Sequence, residues 1–124
     1  MLTPIKARKP TEFYTRERCY ITEILNHADS PHMSLARCRV APGVTTELHR
    51  LIGTTEVYII KSGTGEMNDG SNKWLAVGAG DSVVIPPGSW QRIRATGSDE
   101  LIFEVICTPR FQPPCYEGGD PDQA

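Results

Sequence analysis

The chain has 124 residues, 39% of them hydrophobic and 23% charged, and a formal net charge of −2. That length supports one hydrophobic core rather than two, so a single domain over residues 1–124 is expected, with the composition of an ordinary globular protein. A slightly acidic balance argues against nucleic acid or an anionic membrane as the main partner. The charge is uneven: residues 1–18 carry Lys6, Arg8, Lys9, Arg16 and Arg18 against Glu12 and Glu17, while from Phe111 onward only the acids Glu117, Asp120 and Asp122 occur. Basic residues spread this thinly read as a solvated arm. Lys6, Arg8, Lys9 and Pro10 interrupt any apolar signal-peptide core, and no apolar run approaches the roughly 20 residues of a membrane span. A cytoplasmic location is therefore expected. Cys19, Cys38, Cys107 and Cys115 form no Cys-x-x-Cys pair and read as free thiols, Cys38 and Cys107 as small buried apolar residues.

Turn signals recur every eight to twelve residues, among them Pro42-Gly43, Ser62-Gly63, Asn68-Asp69-Gly70 and Pro86-Pro87-Gly88. Between them lie short segments rich in Val, Ile, Tyr and Thr, and none sustains a helical apolar repeat over three turns. Strands are predicted at Cys19–Leu25, Ser34–Val40, Thr45–Leu51, Thr55–Lys61, Gly65–Asn68, Lys73–Val77, Ser82–Ile85, Gln91–Ala95 and Leu101–Thr108. Such spacing means an all-β sandwich or barrel. Strand side chains alternate faces, so Ala36, Cys38 and Val40 should point inward and Arg37 and Arg39 outward. By the same rule Gln91, Ile93 and Ala95 oppose Arg92 and Arg94. The ends, Met1–Pro10 and Gln112–Ala124, are Pro-rich or polar and predicted to be irregular.

Two stretches carry the chemistry: "GVTTELHRLIGTTEVYIIKSG" from Gly43 to Gly63, and "GDSVVIPPGSWQ" from Gly80 to Gln91. Together they resemble the two motifs of the cupin family, small β-barrels that usually hold a metal ion. In the first motif Gly43, His49, Glu56 and Gly63 fall in register, and Leu51 stands where a second His is usual. In the second, Gly80, Pro86 and Gly88 match, and Gln91 stands where a His is usual. The flanking "FYTRERCYITEIL" and "FEVICTPRF" look like a single-domain subgroup of small bacterial cupins. The resemblance implies a double-stranded β-helix, or jelly-roll, barrel with its core at about residues 34–108, an N-terminal arm over 1–18 and an irregular tail over 112–124. It also implies a homodimer, formed by exchanging or abutting N-terminal strands.

His49 and Leu51 are two apart on one strand and share a face, and Glu56 follows a short turn that, as a hairpin, would return its carboxylate opposite His49. In the cupin pattern His49, Leu51, Glu56 and Gln91 converge on one site. His49 and Glu56 suit zinc, iron, manganese or nickel; Gln91 is a weaker, neutral ligand and Leu51 is none. Two readings stay open, an open metal site on His49, Glu56 and Gln91 or a metal-free pocket in which these side chains bond one another or a ligand. Tyr58 shares the inward face of Glu56 and could offer its phenol to a ligand or act as a core aromatic. Cys107 could lie beside the site, Glu104 should pair with a surface Arg, and Trp74 and Trp90 receive no role. His27 and His32, outside the motifs, read as exposed turn residues.

The family spans dioxygenases, isomerases, epimerases, cyclases, decarboxylases, sensors and storage proteins, so the fold does not select a reaction. One expectation is a metal-dependent isomerase-, cyclase- or lyase-like enzyme acting on a small carbonyl or sugar-like compound, with Glu56 as base if it is not a ligand. The other is a non-catalytic, metal-free module that binds a small molecule in a Leu51-lined cavity.

Overall fold

The structure is a computed structural model, and it describes residues 1–7 and 11–119. Arg8, Lys9, Pro10 and the acids Asp120 and Asp122 lie outside the described residues. The elements are β1 (Phe13–Tyr14), β2 (Tyr20–Leu25), β3 (Ser34–Val40), β4 (His49–Leu51), β5 (Thr55–Ser62), β6 (Thr64–Asn68), β7 (Leu75–Gly78), β8 (Ser82–Ile85), β9 (Arg92–Ala95), β10 (Leu101–Thr108) and β11 (Tyr116–Gly118). A 3₁₀ turn at Pro113–Cys115 precedes β11. Among the described residues no helix is long and apolar enough to cross a membrane.

One sheet has six antiparallel strands in the order β1-β2-β3-β10-β5-β8. A three-stranded sheet, β7-β6-β9, and the pair β11-β4 make the second layer. The bridges His49↔Gln91 and Thr45↔Arg94 join these two pieces. The β-branched and aromatic run Val57-Tyr58-Ile59-Ile60 suits a strand half-buried on a pleated surface. Alternation decides the faces as expected: Cys38 and Val40 are buried while Arg37 is exposed, and Gln91, Ile93 and Ala95 are buried while Arg92 and Arg94 are not. The inner faces meet in one core that includes Val40, Ile60, Ile93, Leu101 and Phe103. All four cysteines are free, and Cys38 and Cys107 belong to that core.

Several expectations are corrected. The strand predicted over Thr45–Leu51 is regular only at His49–Leu51, because the preceding backbone bonds elsewhere. Thr46 Oγ1 takes the Ile93 N–H (2.9 Å), the Glu47 N–H goes to Glu17 O (3.0 Å), and Leu48 O receives the Gly119 N–H (2.8 Å). Next, β4 and β5 form no hairpin: β4 pairs with β11, and β5 pairs with β10 and β8, so the intervening turn crosses between layers. Third, the tail is ordered as far as Gly118, since Tyr116↔Leu51 and Gly118↔His49 pair it to β4. Last, Glu104 meets Lys61 (3.8 Å) rather than an Arg.

Both ends of the chain thus wrap the barrel. Arg16 and Arg18 are not a merely solvated arm, since Arg16 reaches Glu47 (3.3 Å) and Arg18 Nε donates to Thr45 O (2.8 Å). Phe13 and Tyr14 sit exposed on the edge strand β1. The tryptophans lie under cations: Arg94 is 3.9 Å from the centre of Trp74, and Arg50 is 4.6 Å from that of Trp90.

Gly63 turns β5 into β6 with φ +85°, and a Cβ there would lie 2.6 Å from Glu100 O. Both the left-handed backbone and the missing space demand glycine. Gly63→Ala should therefore lower stability by about 2 kcal/mol, a fall in Tm of about 5–10 °C. Thermal melting followed by circular dichroism checks this, and an unchanged Tm would contradict it.

Candidate functional site

A cavity of about 340 Å³ lies against the inner face of the six-stranded sheet. His49, Leu51, Glu56 and Tyr58 line it, together with Glu17 and Tyr116 from the chain's two ends. Its size falls at the small end of pockets that bind organic ligands.

His49 is the best-defined group. Its Nδ1 lies 2.8 Å from Glu47 O. A carbonyl can only accept, so Nδ1 carries the proton and, in the neutral ring, the lone pair resides on Nε2. A Glu17 carboxylate oxygen stands 3.7 Å from the same Nδ1. The ring of Tyr116 stacks on the imidazole with centroids 4.9 Å apart and planes 14° from parallel. Tyr116 also donates its hydroxyl to Glu47 Oε1 (2.9 Å), which Arg16 Nη2 reaches as well (3.3 Å). Gly118 fits against that same carboxylate, leaving no room for a side chain.

Glu56 sits on β5 opposite Cys107 of β10 and Ile85 of β8. Gln91 Nε2 donates to Glu56 Oε1, and the Cys107 thiol lies 4.0 Å from Oε2. Burial pushes the Glu56 carboxyl up to about 7, against the opposing pull of His49 and of the Gln91 amide. Burial likewise raises Glu17. The Cys107 thiol is pushed up to about 12 by burial, so it stays protonated at neutral pH and is no nucleophile. Tyr58 stacks on Phe103 with centroids 4.6 Å apart, and burial raises its phenol well above the usual range.

Of the sequence-selected residues, the structure brings Glu56 and Gln91 into direct contact, and it joins His49 to Gln91 through the backbone. His49, Glu56 and Tyr58 share the cavity wall; Gln91 is buried but is not part of it. Leu51 is buried next to His49 as an apolar wall. His27 receives the Asp29 N–H (3.0 Å) and His32 is exposed, both in turns away from the cavity. Glu17, Glu47 and Tyr116 were not selected from sequence, because they belong to the arm, to a stretch read as regular strand, and to a tail read as irregular. The signals for Tyr116 were the stiff Pro113-Pro114 before it and Gly118-Gly119 after it.

The donor set falls short of a transition-metal centre. Such centres usually draw three strong protein ligands, and of the four motif positions only His49 and Glu56 carry one. Gln91 already turns its amide nitrogen to Glu56. Among the described residues no three His, Cys, Asp or Glu side chains are grouped so as to hold an ion.

The sequence profile of the family described as "Cupin domain" matches residues 36–108. No curated protein sequence matches. Among solved structures, a nucleoside dehydratase from Streptomyces, Pac13, is similar with a TM-score of 0.79 at 17% identity, covering 95% of this chain and 92% of that one. An uncharacterised double-stranded β-helix protein from Klebsiella pneumoniae has a TM-score of 0.74 at 16% identity, covering 86% and 88%. A predicted oxalate decarboxylase from Thermotoga maritima has a TM-score of 0.70 at 24% identity, covering 81% and 91%. At these identities the likeness is one of fold.

The raised Glu56 carboxyl links stability to pH. The folded chain holds this proton up to about 7, whereas the ordinary value is 4.5. Its contribution is complete below 4.5 and is lost as pH rises through 7. Glu56→Gln has no such proton and still offers Gln91 an acceptor. Its stability relative to the native chain should grow by up to about 3 kcal/mol across that window. Urea unfolding at a series of pH values checks this; a flat difference would contradict it.

Proposed function

We propose that this chain, which belongs to the cupin family by its match over residues 36–108, binds a small organic molecule in the cavity and moves a proton on it without a resident metal. The observation that carries this reading is the 2.8 Å bond from His49 Nδ1 to Glu47 O, which reserves Nε2 as a base beside a carboxyl that titrates near 7. An imidazole with a free ring nitrogen and a carboxyl that keeps its proton to about 7, both on one cavity wall, suit isomerisation or elimination.

In the proposed reaction, His49 Nε2 takes a proton from a carbon next to a carbonyl or an equivalent activating group. The electron pair left behind forms the new double bond. In isomerisation the proton returns to a neighbouring atom; in elimination a hydroxyl leaves with the proton of Glu56, as water. The imidazolium that forms lies beside the Glu17 carboxylate, which favours its charge. Tyr116, stacked on the ring, holds its plane. Leu51 and Phe103 keep water from the reacting atoms. The similar Streptomyces protein is named as a nucleoside dehydratase, and structures of its variants hold uridine. That name supports elimination as a chemistry that a barrel of this kind can host.

A panel of small carbonyl compounds and hydroxylated rings incubated with the protein in D₂O tests the reading. Deuterium should enter at least one member, in the presence of chelator, at a rate that falls about 100-fold or more in His49→Gln. Exchange that survives this substitution, or that vanishes with chelator, would contradict it. The donor count makes a companion prediction: calorimetric titration with zinc should find no tight site in the native chain. Leu51→His should gain one, because it adds a strong third donor on the face of His49. Tight binding by the native chain would contradict the metal-free reading.

A further inference from the structure

The titratable side chains of the cavity wall are mostly acids. Glu17, Glu23 and Glu56 line it, whereas Arg16 is its one arginine or lysine among the described residues. Arg16 is 70% exposed and has its guanidinium on Glu47. Arg18, next to Glu17, donates its Nε to Thr45 O and is not part of the wall. An anion entering here would lose its hydration and find acids, like-charged wherever they ionise, instead of an arginine or lysine turned to pair with it. A hydroxyl would find carboxyl groups to bond, and a ring would find the aromatic side chains Tyr58, Phe103, Phe111 and Tyr116.

A tightly bonded turn holds Glu17 in this wall. Arg18 has φ 68°, the one positive value outside glycine among the described residues. Such strain persists only where surrounding bonds impose it, and it tends to mark functional sites. The Arg18 N–H donates to Thr15 O (3.0 Å), the Thr15 N–H to Cys19 O (2.9 Å), and the Glu47 N–H to Glu17 O (3.0 Å). That strained turn carries the Glu17 carboxylate to 3.7 Å from His49, from a segment before the matched residues 36–108.

We infer that the cavity takes an uncharged, hydroxyl-bearing ring compound and turns away carboxylates and phosphates, and that Glu17 sets this choice. The inference rests on the proposed function, since it names the ligand class of the same site. It separates this barrel from one built to hold an organic acid, because among the described residues no arginine or lysine of the wall is turned to receive it.

Saturation-transfer NMR tests it with matched pairs of ring compounds, hydroxylated members against their carboxylated or phosphorylated counterparts, uridine and uridine 5′-monophosphate among them. The uncharged members should bind at least about tenfold more tightly than their anionic partners. Glu17→Gln in alkaline buffer should tighten the anions about tenfold. Anions that bind the native chain as well as their partners would overturn the inference and leave the proposed function standing. No contact by any member would overturn the proposed function, and the inference with it. If Glu17→Gln keeps the native preference, Glu17 does not set it. Should that variant fail to fold, the preference of the native chain still decides the ligand class.

Discussion

The hydrogen bond from the His49 ring to the Glu47 carbonyl is the constraint on which the site depends. It fixes the tautomer, and it requires the chain to leave regular pairing just before β4 so that a carbonyl is free to accept. The backbone groups released there are taken up by the ends of the chain: the Glu47 N–H by Glu17 O and the Leu48 carbonyl by Gly119 N–H. Buried peptide groups need partners, so the broken strand and the wrapped termini are one solution. Tyr116 completes it, stacking on the ring that the bond orients and donating to the Glu47 side chain.

Charge balance follows from the same arrangement. A buried carboxylate must gain a counter-charge or keep its proton. With Leu51 and Gln91 at two of the four motif positions, Glu56 has an amide donor and a neighbouring imidazole but no second histidine. The carboxyl therefore holds its proton to about 7.

Much of the barrel was legible in the sequence. Strand alternation placed Cys38, Val40, Ile93 and Ala95 inside because period-two patterning needs only local information. Gly63 could be placed because Ser62-Gly63 is a turn signal and falls in the register of the first motif. His49, Glu56 and Gln91 stood out through motif spacing. Partner choice was not legible. That β4 pairs with β11 rather than β5 depends on contacts over long sequence separations, and the tail that supplies them looks polar and irregular by itself. Glu17 was hidden for the same reason: among arginines in an arm it reads as solvated, and only the turn at Arg18 reveals that it faces inward.

The protonation of the His49 ring tests the account most directly. Nitrogen-15 NMR of histidine-labelled protein, with His27 and His32 assigned by substitution, reads each ring nitrogen separately. The neutral His49 ring should carry its proton on Nδ1 and leave Nε2 unprotonated, with zinc at equimolar concentration leaving both signals unchanged. A ring protonated on Nε2 would contradict it, because no lone pair would then face the ligand.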